Sequence, residues 1–204
     1  MAPKYKLYYF NGRGSAEPIR YLLSYLGEEF EDVRYKFEDW PTIKPTTPFG
    51  KVPILEIDGK KYPQSVALSR YLGKKAGLGG KDSWEDLQID IIVDTIGDIR
   101  QDMSGILVEK DEKVKAQKKE KFANETISFY FEKLEAIAKA NNGYLANKKL
   151  SWADIYFAAA LSVFSGAAGK DIVSHYPNLA ALQKTINSNP RIRTWIDKRP
   201  KTDF

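Results

Sequence analysis

The chain has 204 residues, 43% of them hydrophobic, with 32 Lys and Arg against 27 Asp and Glu, a net charge of +5, one histidine and no cysteine. That is apolar material for one large domain or two small ones. Without a thiol the protein has no disulfide exchange, cysteine nucleophile or thiolate-bound metal of its own, so reacting sulfur must come from a ligand; the lone His175 excludes a zinc site of several histidines and makes a Ser-His-Asp triad improbable.

Met1 to Lys6 lacks the apolar core of a signal peptide, and no apolar run approaches the roughly 18 residues of a membrane span, so the expectation is a cytoplasmic protein with no membrane partner. The apolar run Tyr5 to Phe10 predicts a strand. Ile19, Leu22, Leu23 and Leu26 recur at helical spacing, with Ser15 placed to cap the helix and Pro18 in its first turn, where a missing N–H costs little. A strand is expected near Glu29 to Tyr35. Further on, Phe49-Gly50-Lys51-Val52-Pro53 leads into Ile54-Leu55-Glu56-Ile57, and Asp58-Gly59, both tolerant of positive φ, predicts a hairpin to Lys60–Tyr62. Pro53 either caps an edge strand or holds a cis bond. Ser65 opens a helix with Leu68, Tyr71 and Leu72 at helical spacing, and the free N–H groups at its start suit a carboxylate.

Gly77-Leu78-Gly79-Gly80-Lys81-Asp82 breaks the pattern. From Ser83 strand signals stop, and Trp84, Leu87, Ile91, Ile92, Ile96 and Ile99 follow a helical period. The expected fold is therefore α/β plus all-α: βαβ then ββα over residues 1–78, and an all-helical bundle over 84–204. Asp90, Asp94, Asp98 and Asp102 form an i, i+4 ladder whose mutual repulsion calls for compensation, from Arg100 and nearby lysines or from a divalent ion. The basic stretch Lys113 to Lys121, interleaved with acids and without stacking aromatics, predicts a solvated helix face and no nucleic-acid partner. Ser151-Trp152-Ala153-Asp154 predicts a structural capping box, with Leu150 and Ile155 as a hydrophobic staple.

Lys6-Leu7-Tyr8-Tyr9-Phe10, Arg13-Gly14, Glu17-Pro18-Ile19-Arg20, Trp40-Pro41, Pro48 through Pro53, Gln64-Ser65, Val93-Asp94-Thr95, Ser151 through Asp154 and Lys198-Arg199-Pro200 together resemble the glutathione transferases, specifically the sigma class, over essentially the whole chain. The resemblance implies a thioredoxin-like N-terminal domain with a mixed four-stranded sheet, an all-helical C-terminal domain, glutathione as co-substrate, no metal requirement and a homodimer. Tyr9 would be catalytic, its phenol donating to the glutathione thiolate; alternation along the strand turns Tyr8 to the other face. Glutathione would be held by Tyr9, Arg13, Trp40, Lys44, Lys51, Val52, a cis Pro53, Gln64 and Ser65, with Asp98 reaching from the partner subunit. The site for a hydrophobic electrophile would be walled by Phe10, Gly14, Ile106, Tyr156 and Phe204. Prostaglandin-isomerising members of the class carry an arginine where this chain has Ser15. Conjugation of electrophiles such as lipid-peroxidation products is therefore the first expectation, ahead of a glutathione-dependent isomerase or peroxidase; a crystallin-like structural protein is the non-enzymatic alternative.

Overall fold

The computed structural model describes residues 5–202. β1 (Tyr5–Phe10) and β2 (Phe30–Tyr35) run parallel, linked by α1 (Glu17–Leu26). β3 (Ile54–Ile57) pairs antiparallel with β1 and with β4 (Lys60–Pro63), giving the strand order β2-β1-β3-β4. The hairpin turns at Asp58 and Gly59, with φ of +49° and +80°, and pairs Ile57 with Lys60. α2 (Trp40–Ile43) follows β2, and α3 (Ser65–Lys75) follows β4. Beyond residue 75 the described chain holds helices and no strand: α4 (Ser83–Leu107), α5 (Glu112–Lys121), α6 (Ile127–Ala140), α7 (Trp152–Ala168), α8 (Pro177–Asn187) and α9 (Pro190–Lys198). A π-helical segment, Phe122–Thr126, joins α5 to α6. None of these helices is long and apolar enough to cross a membrane.

α7 is the central post. From Trp152 to Leu161 every residue is buried, and the helix packs against α1, α3, α4 and α8. Gly73 of α3 touches the Trp152 side chain so closely that a β-carbon there would overlap it. One continuous apolar core thus runs from the sheet into the bundle. The glycine-rich junction is anchored: Leu78 is buried and its carbonyl accepts from Trp152 N at 3.1 Å.

Three local expectations are corrected. Ser15 does not cap α1; it lies in a 3-10 turn, Gly14–Ala16, and Ala16 holds the N-cap position without a side-chain bond. In α3, Leu68 and Leu72 are buried but Tyr71 faces out. α4 carries two apolar stripes: Ile89, Ile92, Val93, Ile96 and Ile99 are buried, whereas Trp84, Leu87 and Ile91 are 67%, 46% and 49% exposed. Spacing of i, i+3, i+7 makes the second stripe a coherent face of its own.

The capping box at the head of α7 is present. The buried Asp154 carboxylate accepts from Ser151 N (2.7 Å), the Ser151 hydroxyl (2.8 Å) and Leu145 N (2.8 Å), so it ties the preceding loop down as well as capping the helix. Leu150 and Ile155 pack into the core at the staple positions. Ser151→Ala removes one cap and should cost about 1 kcal/mol. Asp154→Ala strands several buried donors and should cost about 3 kcal/mol, measured as the loss in urea unfolding free energy.

Candidate active site

The sheet register assembles the site. Tyr8 pairs with Ile54, and Ile54 with Pro63, so one step further Tyr9, Pro53 and Gln64 stand abreast at the same end of the sheet. β2 ends at that level too, with Tyr35 opposite Phe10, and α2 with Trp40 opens just beyond it. The antiparallel β3 puts its entrance where β1 and β2 put their exits. Residues from four stretches of sequence therefore converge through the pairing of the strands that carry them.

The Tyr9 side chain turns from the sheet toward the turn after β1, where its hydroxyl oxygen accepts from Ser15 N at 3.1 Å. Since a phenol both accepts and donates, this leaves the Tyr9 proton for another acceptor. Gly14, at φ +42°, is required for the approach: a β-carbon there would lie 2.8 Å from Tyr9 Cε1. Tyr8 takes the opposite face, donating to Glu56 Oε2 at 2.9 Å and stacking on Tyr35.

The Val52–Pro53 bond is cis. Gln64, at φ +79° and ψ +95°, precedes Ser65 in a backbone conformation that costs a non-glycine residue about 1–3 kcal/mol and tends to occur at ligand sites. No side chain caps α3, so its first N–H groups stay open to an anion. Trp40 sits edge-on to Phe10 with ring centroids 5.1 Å apart. Lys44 and Lys51 are exposed and pair with no carboxylate among the described residues. Lys44 runs along Gly50, where a β-carbon would come within 3.3 Å of its Cε. Arg13 is turned elsewhere: its guanidinium donates to Ser162 O at 2.8 Å and Thr202 O at 3.1 Å, binding the turn after β1 to α7 and to the segment beyond α9.

Beside Tyr9 lies a cleft of about 440 Å³. Phe10 and Gly14 line it as expected, together with Phe37, Met103, Val108 and Val163, which the sequence reading missed. Ile106 does not line it. Arg100, Met103 and Ser104 share the cleft face of α4, and Ile106, two residues past Ser104 and about 200° further round the axis, turns into the bundle. Tyr156 is fully buried and meets the cleft only through Arg100, whose Nη2 donates to its hydroxyl at 2.8 Å. Phe204 lies outside the described residues.

Arg100 also corrects the reading of the acidic ladder. It compensates none of the four aspartates: Asp90 pairs with Arg70 at 2.9 Å, and Asp102 accepts from Thr126. Among the described residues no three His, Asp or Glu side chains gather to hold a metal. Asp98 is exposed and does not line the cleft of its own chain. The signal for Arg100 lay in its position, a lone arginine four residues before Ser104 on one helix face.

The family model for the glutathione S-transferase N-terminal domain matches residues 5–74, and that for the glutathione S-transferase C-terminal domain matches residues 97–199. A glutathione S-transferase of Anopheles gambiae is 45% identical over 201 residues, which span 98% of this chain and 99% of that protein. Hematopoietic prostaglandin D synthase of Gallus gallus is 42% identical over 98% of each chain. The solved structure of prostaglandin synthase D of Nilaparvata lugens, 50% identical, superposes with a TM-score of 0.93 over 98% of this chain and all of that one. With both halves of its fold and nearly its full length matched in this way, the chain belongs to the glutathione S-transferase family.

Proposed function

We propose that this enzyme joins glutathione to reactive electrophiles, lipid-peroxidation enals and enones among them, with Tyr9 holding the reacting sulfur as thiolate. The observation that carries the reading is the Tyr9 hydroxyl, whose oxygen is occupied by Ser15 N while its proton is free to point at a ligand. A donated hydrogen bond favours the charged form of the sulfur, and each pKa unit it gains is worth about 1.4 kcal/mol. The thiol proton leaves to solvent. Sulfur then bonds to the β-carbon of the unsaturated carbonyl, the π pair moves onto the carbonyl oxygen, and water returns a proton to the α-carbon.

Glutathione presents two carboxylates and an ammonium. The open N–H groups at the start of α3, with Gln64 and Ser65, suit the γ-glutamyl carboxylate. Trp40, Lys44 and Lys51 suit the glycyl end, and the Val52 backbone suits the cysteinyl unit. Arg13 serves by fixing the turn after β1. A complete set of this kind is of no use to a crystallin-like scaffold. The printed names of the chicken and Nilaparvata relatives favour a second reading, glutathione-dependent isomerisation of a prostaglandin precursor. We place the protein in the cytoplasm, in keeping with the family.

The ammonium partner is Asp98 of a second copy. The exposed stripe of Trp84, Leu87 and Ile91 on the same helix supports a homodimer, since an apolar face of that kind marks an association surface. Leu87→Asp with Ile91→Asp should shift sedimentation toward monomer and raise the KM for glutathione. Asp98→Asn should raise that KM with the dimer intact. Tyr9→Phe should lower kcat for conjugation of a chloronitrobenzene by about 100-fold while moving the glutathione KM far less. An unchanged kcat would sink the role given to Tyr9.

A further inference from the structure

We propose that residues 199–202, the segment that follows α9, form a strap that sets the acidity of the bound glutathione thiol, with Arg13 as the positioning residue that carries its hold to the turn beside Tyr9. This rests on the role given to Tyr9 above and adds what keeps that phenol aligned.

The turn has little to fix it from within. Neither the 3-10 segment Gly14–Ala16 nor the start of α1 has a side-chain cap. The backbone bonds of the turn converge on the Arg13 carbonyl, which accepts from Ala16 N at 3.2 Å and Glu17 N at 3.0 Å. The setting of Arg13 therefore decides where the Ser15 N–H points. Arg100 holds the Ser15 hydroxyl at 3.2 Å, which steadies the side chain, but the direction of the N–H follows the peptide that leads in from Arg13. Arg13 is fastened from outside through its guanidinium, by Nη1 to Ser162 O at 2.8 Å and by Nη2 to Thr202 O at 3.1 Å. Ser162 lies in α7, one residue before the cleft-lining Val163, whereas Thr202 lies in a stretch with no helix or strand of its own.

That stretch is anchored at both ends. Arg199 closes α9 with its N–H on Trp195 O at 2.9 Å and sends Nη1 to Glu17 at 2.6 Å. Arg199 and Thr202 are half-buried, and Pro200 and Lys201 between them are exposed. Pro200 stiffens the span by fixing its own φ. The segment thus runs from the first residue of α1 to the guanidinium that opens the turn, bridging the two sides of the Ser15 N–H.

Alignment of that N–H matters to the sulfur. It donates to the Tyr9 oxygen at 3.1 Å, and in a chain of N–H to O–H to thiolate the first donor draws charge from the phenol oxygen and makes its proton the better donor. Both bonds weaken steeply as they bend. There is no slack to absorb a shift, since Gly14 lies so close to the Tyr9 ring that a β-carbon there would overlap it. A turn released from the strap therefore leaves the thiolate a poorer donor.

The test slackens the strap without removing a residue, by inserting two glycines after Pro200, and follows thiolate absorbance of bound glutathione against pH beside the pH profile of kcat/KM for a chloronitrobenzene. Both midpoints should rise by about one pH unit, which is about tenfold less thiolate below the midpoint. A chain ended at Arg199 should show the same rise, and Arg13→Met at least as large a one because it frees Ser162 O as well. Midpoints that stay in place in the insertion and the shortened chain would overturn the proposal, even if both unfold at lower urea, since the segment would then serve the fold alone. A rise confined to Arg13→Met would also overturn it, by assigning the effect to the charge of Arg13 or to its bond with α7. A bound thiol that titrates like the free one in the unaltered enzyme would instead refute the role of Tyr9, and this proposal with it.

Discussion

The buried pair of Glu17 and Arg20 is the constraint on which the site depends. Both side chains are fully enclosed, 3.1 Å apart, one turn from each other on α1. Arg20 also donates to Asp32 on β2 at 3.0 Å and to the carbonyl of Gly12 at 2.7 Å; Glu17 also accepts from Trp195 Nε1 at 2.9 Å and Arg199 Nη1 at 2.6 Å. Charges out of water are tolerable when partnered in this way, although Arg20 Nη2 is left without a hydrogen-bond partner among the described residues, and removing one member of such a set costs about 3–5 kcal/mol because the other is left bare. The set joins the sheet, the turn after β1 and the last helix, and from the far side Arg13 ties the same turn to α7 and the chain beyond α9. That turn carries the Ser15 N–H to Tyr9.

From this constraint the division of labour follows. The sheet end supplies a platform of backbone groups and polar side chains suited to a polar tripeptide. α4, α7 and the loop after β2 supply an apolar wall suited to a variable second substrate. Because one core runs through both halves, the two faces of the cleft are held at a fixed separation. Ser15, Ser104 and Arg100 break the wall's apolar character, and Arg100 bonds to Ser15 and Tyr156.

Much of the fold was legible from local chemistry. β1 spans the predicted Tyr5 to Phe10, the Asp58-Gly59 hairpin and the Ser151 capping box need only neighbouring residues, and the glycine-rich junction marks where strands end. The grouping of Tyr9, Pro53 and Gln64 followed from resemblance and finds its physical basis in strand register. What pattern could not supply was helix phase and partner choice. Ile106 was assigned to the cleft because α4 borders it, but its angle about the axis sends it to the core. Ser15 satisfied the rule for a helix cap, yet tertiary contact with Arg100 claimed its hydroxyl. Arg100, surrounded in sequence by aspartates, fitted a surface counter-charge until α7 brought Tyr156 alongside it.

The most direct test of thiolate stabilisation is an ultraviolet titration of bound glutathione, following thiolate absorbance against pH in the unaltered enzyme and in Tyr9→Phe. The account predicts a midpoint well below the value of about 8.5 for a free cysteine thiol, and its return toward that value when the phenol hydroxyl is removed. A bound thiol that titrates like the free one, or a depressed midpoint that Tyr9→Phe leaves in place, would contradict it.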